Sequence, residues 1–177
     1  MKKVFLLGLL MVLFVSCEKQ EQRYFAESDE TKTLEAGIAA YEGGDWDKWR
    51  SHFADTAKIY VNSTESMTLD ARVEELSGMA GAFSSYGFDK SDDHIEMVID
   101  KKDETWVYYW ADHSATLTNG KELSIPVHVA ARFGDGRIVT EHVYYDGTEL
   151  NAEVAAMTAA AEGGDDSADA ESESDDN

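Results

Sequence analysis

The chain has 177 residues, of which 36 are acidic and 15 basic, so its formal net charge is −21. A protein of that charge repels phosphate backbones, and no basic cluster offsets it, so nucleic acid is excluded as an expected partner. The length suits one domain of about 130 residues, which is large enough to bury a core without disulfides.

The N-terminal residues have the composition of a secretory signal. Two lysines precede an apolar run over residues 4–15, which is too short to span a bilayer as a helix of the mature protein. Residues 13–17 resemble a bacterial lipobox, in which the cysteine becomes the lipidated first residue, although Phe14 stands where leucine is usual. Cys17 is the single cysteine and has no intramolecular disulfide partner.

We therefore predict a lipoprotein signal peptide over residues 1–16 and lipidation at Cys17. The expected location is the bacterial cell envelope, where the lipid holds the protein at the membrane, facing the periplasm or on the outer-membrane surface. The alternative is an ordinary cleaved signal with an incidental cysteine.

Polar segments flank the predicted domain, which covers residues 31–161. Residues 17–30 lack sustained periodicity and are expected to form a flexible tether. Residues 162–177 include eight acidic side chains and no basic one. This composition offers little to bury against the entropy of ordering, so a disordered acidic tail is expected.

Helical patterns come first within the domain. A stripe over residues 34–41 ends at two glycines, and a short second stripe runs from Trp46 to Phe53. After a predicted strand over residues 57–62, Thr68 can cap a third helix whose apolar stripe extends to Phe83.

From His94 onward the hydrophobic period changes from about 3.6 to 2. Strands are predicted over residues 94–100, 105–118, 122–133 and 138–146, with hairpin turns at Asn119–Gly120 and Asp135–Gly136, and a last helix begins near Leu150. Helices followed by a meander of long strands predict an α+β fold, with helices against one face of a curved antiparallel sheet.

Two segments carry a family resemblance: residues 41–61 (YEGGDWDKWRSHFADTAKIYV) and residues 125–146 (IPVHVAARFGDGRIVTEHVYYD). They resemble the SnoaL-like branch of the NTF2-like superfamily, and the similarity covers about residues 31–146. It implies a cone-shaped curved sheet wrapped around helices, a deep pocket between the two, and often a dimer. Members include isomerase-like and cyclase-like enzymes, epoxide hydrolases and proteins of no known activity, so the resemblance implies the fold more than the chemistry.

If both hairpin turns have two residues, cross-strand pairing assigns each side chain to one face of the sheet. The residues then expected to line the pocket are Trp106, Tyr108, Trp110, Asp112, Val127, Val129, His142, Tyr144 and Asp146, with Tyr60 from the first strand as a further wall residue. A three-residue loop at residues 134–136 would instead turn Glu141 and Tyr145 inward and remove His142 from the pocket.

A carboxylate, an imidazole and a phenol beside one apolar cavity suit proton transfer to a buried substrate. Burial raises the pKa of a carboxyl group and lowers that of an imidazole, which brings both towards neutrality. Asp112 and His142 are therefore the candidate acid and base, and Tyr144 is a candidate oxyanion or orienting donor. The alternative is that these groups only satisfy a polar pocket and that Asp146 caps the following helix.

Three classes of function remain open. The five histidines have no metal-type spacing and no glycine-rich phosphate loop is present, so neither a metal nor a cofactor is expected. We favour binding of a small apolar or amphipathic molecule. The alternatives are a cofactor-free acid/base enzyme of isomerase, cyclase or hydrolase type, and a non-catalytic homodimer or docking module that uses Tyr109, His128 and Arg132 on the open sheet face.

Overall fold

The computed structural model describes residues 21–168. The predicted signal peptide, Cys17 and the first part of the predicted tether lie outside the described residues, as do residues 169–177 of the predicted tail. Between residues 21 and 168 no helix is long and apolar enough to cross a membrane.

The described part of the chain alternates helices and strands in its first half and contains mainly strands in its second. In chain order the elements are β1 (Tyr24–Phe25), α1 (Asp29–Glu42), α2 (Trp46–Ser51), β2 (Phe53–Val61), α3 (Leu69–Ala80), β3 (Phe83–Phe88), β4 (His94–Ile99), β5 (Thr105–Leu117), β6 (Glu122–Gly134), β7 (Arg137–Tyr145) and α4 (Thr148–Ala168).

The seven strands form one curved, unclosed sheet of order β1-β4-β5-β6-β7-β2, with β3 paired to the C-terminal half of β5. Every pair is antiparallel except β2 with β7, which is parallel. Parallel pairing requires a long crossover, and here α3 and four strands lie between β2 and β7 in the sequence. The predicted α+β fold is confirmed.

The helices begin where side chains can satisfy free backbone N–H groups. At α1 the Ser28 hydroxyl accepts a hydrogen bond from the Thr31 N–H, and the Thr31 hydroxyl accepts one from the Ser28 N–H. Asp45 caps α2 in a similar way, and Thr68 caps α3 as predicted. Each cap satisfies a donor that the helix cannot pair internally.

Three boundaries differ from the prediction. The tether contains β1, because Phe25 packs against the core and Arg23 donates to the Asp100 carbonyl at 2.6 Å. Phe83 begins β3 rather than ending a helical stripe, since so short a strand shows too few alternations to be distinguished from a helix. The last helix continues to Ala168, so it includes residues 162–168, which were expected in the disordered tail.

The hairpin between β5 and β6 has a three-residue loop, not the predicted two-residue turn. The Leu117 N–H donates to the Lys121 carbonyl at 2.8 Å, which leaves residues 118–120 in the loop. Gly120 has φ +87°, a conformation that glycine adopts without a steric penalty and that such loops require. The extra loop residue moves the inward face of β5 by one position.

The hairpin between β6 and β7 has the predicted two-residue turn, with Gly134 opposite Arg137. Val139 then forms a bulge, and pairing beyond it shifts by one residue. Glu141 and Tyr145 consequently face inward, which is the outcome that the sequence attributed to a longer loop.

The core lies between the inner face of this sheet and the helices. Its most deeply buried side chains come from β2, β5 and β7 and are Phe53, Ile59, Val107, Tyr109, Leu117 and Ile138. Tyr109 was predicted on the open face and is instead only 1% exposed.

Candidate functional site

A cavity of about 100 Å³ lies between the inner sheet face and helices α1 and α3. Its apolar and aromatic wall consists of Leu34, Ile38, Tyr41, Trp49, Phe53, Leu76, Met79, Phe83, Phe88, Ile125, Val127, Val129, Ile138, Val143, Tyr145 and Leu150. An engineered apolar cavity of about 150 Å³ binds benzene, so this smaller space suits a molecule of at most one ring or one short branched chain.

Glu141 is the acidic group of this cavity. It projects inward from β7 beyond the bulge and is 6% exposed. Burial raises the pKa of its carboxyl group to about 7, and the nearby Arg72 guanidinium opposes that rise. Within the described residues its carboxylate forms neither a hydrogen bond nor an ion pair, and Arg72 pairs with Glu75 instead.

Arg72 brings a positive charge to the same cavity from α3. Its side chain is 7% exposed, and its Nη1 lies 2.7 Å from Glu75 Oε2, one turn further along the helix. Its Nε is buried and has no hydrogen-bond partner in the part of the chain that is described. The Arg72–Glu75 pair is therefore internally neutral, and it leaves one donor unsatisfied beside Glu141.

A second polar pair lies where α1 meets β5. Tyr41 Oη and His113 Nε2 are 2.9 Å apart in a buried environment. Burial lowers the pKa of His113, with Glu42 opposing, and burial also raises the pKa of Tyr41. Both shifts favour the neutral forms, so at neutral pH this is a hydrogen bond between an imidazole and a phenol rather than an ion pair.

The sequence-predicted pocket residues are divided between two faces. Val127 and Val129 line the cavity, as predicted. The residues that lie away from it are Tyr60, Trp106, Tyr108, Trp110, Asp112, His142, Tyr144 and Asp146. The prediction that the candidate acid, base and donor converge on the interior cavity is wrong, because the three-residue loop and the bulge turn them to the outer face.

The candidate acid and base are also apart on that outer face, because Asp112 pairs with Pro126 and His142 with Ala130, further along β6. Asp112 and Tyr144 line an open groove of about 280 Å³, whereas His142 stacks on Tyr60 at 4.5 Å between ring centroids. Asp146 accepts a hydrogen bond from the Thr148 N–H at 2.9 Å, at the start of α4, which is the capping role considered as the alternative.

The outer face instead carries a set of near-parallel rings, here called the aromatic ladder: Tyr60, Trp106, Tyr108, Trp110, His128, His142 and Tyr144. Trp110 and His128 stack at 4.6 Å. Trp110 is 41% and Tyr144 48% exposed, so the ladder presents apolar surface to solvent.

The polar residues of the cavity were missed for two reasons. Glu141 and His113 were not among the residues predicted to face inward, because the extra loop residue shifts β5 and the bulge shifts β7 by one position. Arg72 interrupts the apolar stripe of α3 between Leu69 and Leu76, and a charged residue in such a stripe is a signal that the sequence contained. Residues 21–168 hold no cluster of three potential ligands that could bind a metal ion.

Comparison with known proteins agrees with this architecture. Residues 34–141 match the SnoaL-like domain family, and no curated protein matches the chain. A candidate polyketide cyclase from Xanthomonas campestris pv. campestris is 18% identical with a TM-score of 0.55, and the match covers 71% of this chain and 96% of that one. An NTF2-like protein of unknown function from Burkholderia pseudomallei is 13% identical with a TM-score of 0.56, covering 70% and 95%.

An LEH-like epoxide hydrolase from M. tuberculosis is 18% identical with a TM-score of 0.50, and the match covers 67% of this chain and 83% of that one. Identities this low establish a shared fold and no shared activity. The family match spans most of the described domain, from α1 to β7. The chain therefore belongs to the SnoaL-like domain family.

Proposed function

We propose that the domain binds a small apolar or amphipathic molecule in the interior cavity. The observation that carries the proposal is an apolar, aromatic-lined space of about 100 Å³ with Glu141, Arg72 and His113 in its wall. A ligand that fills such a space gains about 24 cal/mol per Å³, or about 2 kcal/mol for this volume. A ligand that also pairs with the buried polar groups gains further free energy, because it relieves the cost of burying them without partners.

A thermal-shift screen and native mass spectrometry with small amphipathic compounds test the proposal. Val129→Phe should fill the cavity and abolish any shift, because Val129 lines it. Ser124→Phe is the matched control, since Ser124 lies on the same strand with an exposed side chain. A screen without any stabilising compound, or a shift that survives Val129→Phe, would contradict binding at this site.

A second candidate function is cofactor-free proton transfer by Glu141. A carboxylate whose pKa is about 7 is a stronger base than an ordinary one and is still about half ionised at neutral pH. The probe is isoxazole, a single ring: a base removes its C3 proton, the N–O bond breaks, and the enolate of 3-oxopropanenitrile forms.

The rate of this reaction should rise with pH and level off above about 7, because only ionised Glu141 accepts the proton. Glu141→Gln should abolish it, while Glu74→Gln on the exposed side of α3 should leave it unchanged. Equal rates in the Glu141→Gln variant and the unaltered protein would remove Glu141 from the reaction.

We also propose that the mature protein is held at the cell envelope by a lipid on Cys17. Support comes from the lipobox-like residues 13–17 and from the chain's net charge of −21, which gives no electrostatic attraction to anionic lipid. The N-terminal peptide purified from a bacterial host should carry acyl chains on Cys17. Cys17→Ser should release the protein from the membrane fraction, and an unlipidated mature N-terminus would refute the proposal.

For the homodimer alternative, we propose the aromatic ladder as the contact surface. Tyr109 was expected on the docking surface but is buried, so it cannot contribute to a contact. Trp110 and Tyr144 on the outer face are exposed aromatic residues that can. Light scattering should give the mass of a dimer, and Trp110→Asp should give that of a monomer. A monomer mass for the unaltered protein would reject this proposal.

A further inference from the structure

We infer that the interior cavity selects ligands with a protonated amine, whose ammonium group pairs with the Glu141 carboxylate while a short hydrocarbon body fills the aromatic-lined space. This inference rests on the proposed binding function and specifies its ligand class.

The first argument is the charge count at the cavity wall. Arg72 lines the cavity but pairs at 2.7 Å with Glu75, whose side chain is 41% exposed and lies outside the lining, so an ionised Glu141 leaves this group of three with a net charge of −1. An ammonium ion brings the group to zero, whereas a carboxylate would bring it to −2. Because buried charges are stable only when they are paired, the cation is the complementary partner.

The second argument concerns what Glu141 binds when no ligand is present. Its carboxylate has no partner among the described residues, since Arg72 pairs with Glu75. Burial raises its pKa to about 7, so at neutral pH the carboxyl group is about half protonated, and in that form it needs no counter-ion. The titratable and charged side chains that line the cavity around it are Arg72 from α3, Tyr41 from α1, His113 from β5 and Tyr145 from β7. Burial raises the pKa of both phenols and lowers that of the imidazole, so these three groups are neutral at pH 7 and cannot supply the missing positive charge.

The third argument is the composition of the wall. Six aromatic residues line the space: Tyr41, Trp49, Phe53, Phe83, Phe88 and Tyr145. The faces of such rings attract ammonium groups, and the effect grows when the cation is removed from water. At long range, a protein with a net charge of −21 also concentrates cations and repels anions.

Three compounds with the same branched carbon skeleton separate the effect of the ligand's charge from that of its apolar body: 3-methylbutan-1-amine, 3-methylbutan-1-ol and 3-methylbutanoate. Each has six or seven non-hydrogen atoms, close to the six of benzene, which a cavity of about 150 Å³ holds. Titration calorimetry at pH 8 in phosphate buffer avoids competing amines. We expect the amine to bind at least tenfold more tightly than the alcohol, and the carboxylate to bind most weakly.

The pH dependence identifies the group responsible. Lowering the pH from 8 to 6 should weaken amine binding about tenfold, because Glu141 becomes protonated, and should leave alcohol binding unchanged. Glu141→Gln should remove the preference for the amine while the alcohol still binds, and Glu74→Gln should preserve it.

The possible outcomes distinguish this inference from the proposal on which it rests. If none of the three compounds binds, both fail. If the alcohol or the carboxylate binds as tightly as the amine, the cavity is a binding site but the amine preference is refuted. An amine preference that survives Glu141→Gln would likewise overturn the assignment to this carboxylate.

Discussion

Replacing Glu141 by glutamine should stabilise the domain much more at pH 8 than at pH 5. The carboxyl pKa is 4.5 in the unfolded chain and about 7 in the fold. Between those values the folded state retains a proton that the unfolded state has released, so stability falls as pH rises. At 1.36 kcal/mol for each pH unit, the full loss is about 3 kcal/mol, and between pH 5 and pH 8 it is about 2.5 kcal/mol. Glutamine does not titrate and avoids this loss.

Urea denaturation monitored by tryptophan fluorescence measures the effect, since the chain has four tryptophans. The unaltered protein and Glu141→Gln are compared at pH 5 and pH 8 in acetate and phosphate buffers. Other titrating groups contribute equally to both proteins and cancel in this double difference. The same stability difference at both pH values would refute a buried carboxyl group with a raised pKa, and Glu74→Gln should show no pH-dependent difference.

Four further changes in stability can be measured by the same urea titration. Tyr41→Phe should cost about 1–3 kcal/mol, because it leaves His113 Nε2 buried without its partner at 2.9 Å, and a cost below about 0.5 kcal/mol would contradict that bond. Gly136→Ala should destabilise the domain by about 1–2 kcal/mol, because φ at this residue is +75°. Gly78→Ala within α3 should stabilise it by about 0.5–1 kcal/mol, because alanine is the better helix former. Both sites have open space for a Cβ, so equal effects of the two substitutions would refute a backbone cause. Ser28→Ala should cost about 1 kcal/mol through loss of the α1 cap, and an unchanged midpoint would refute that role.

The elements that the sequence predicted well are those whose signals are local. The helix that Thr68 caps and the strands that begin at His94 and Thr105 follow from caps and from the hydrophobic period, both of which act over a few residues. The strand β1 within the expected tether was missed, because its two residues gain stability only by pairing with distant β4.

Two single-residue features, an additional loop residue and a β-bulge, decide which side chains face the cavity. One additional loop residue before Lys121 inverted the expected face of β5, and the bulge at Val139 inverted that of β7 beyond Ile138. A strand has a period of two, so each event exchanges its entire set of inward side chains for the outward set. Asp112 and His142 left the interior in this way, and Glu141 entered it.

The sequence by itself determined the α+β class, the order of the elements other than β1 and β3, the family resemblance and the apolar inward face of β6, where Val127 and Val129 line the cavity as predicted. Only the tertiary structure decided that Glu141, Arg72 and His113 meet there. The physical reason is that loop length and bulge position are selected by packing over the whole sheet. Two- and three-residue loops differ little in local free energy, whereas the buried face of a strand changes completely between them.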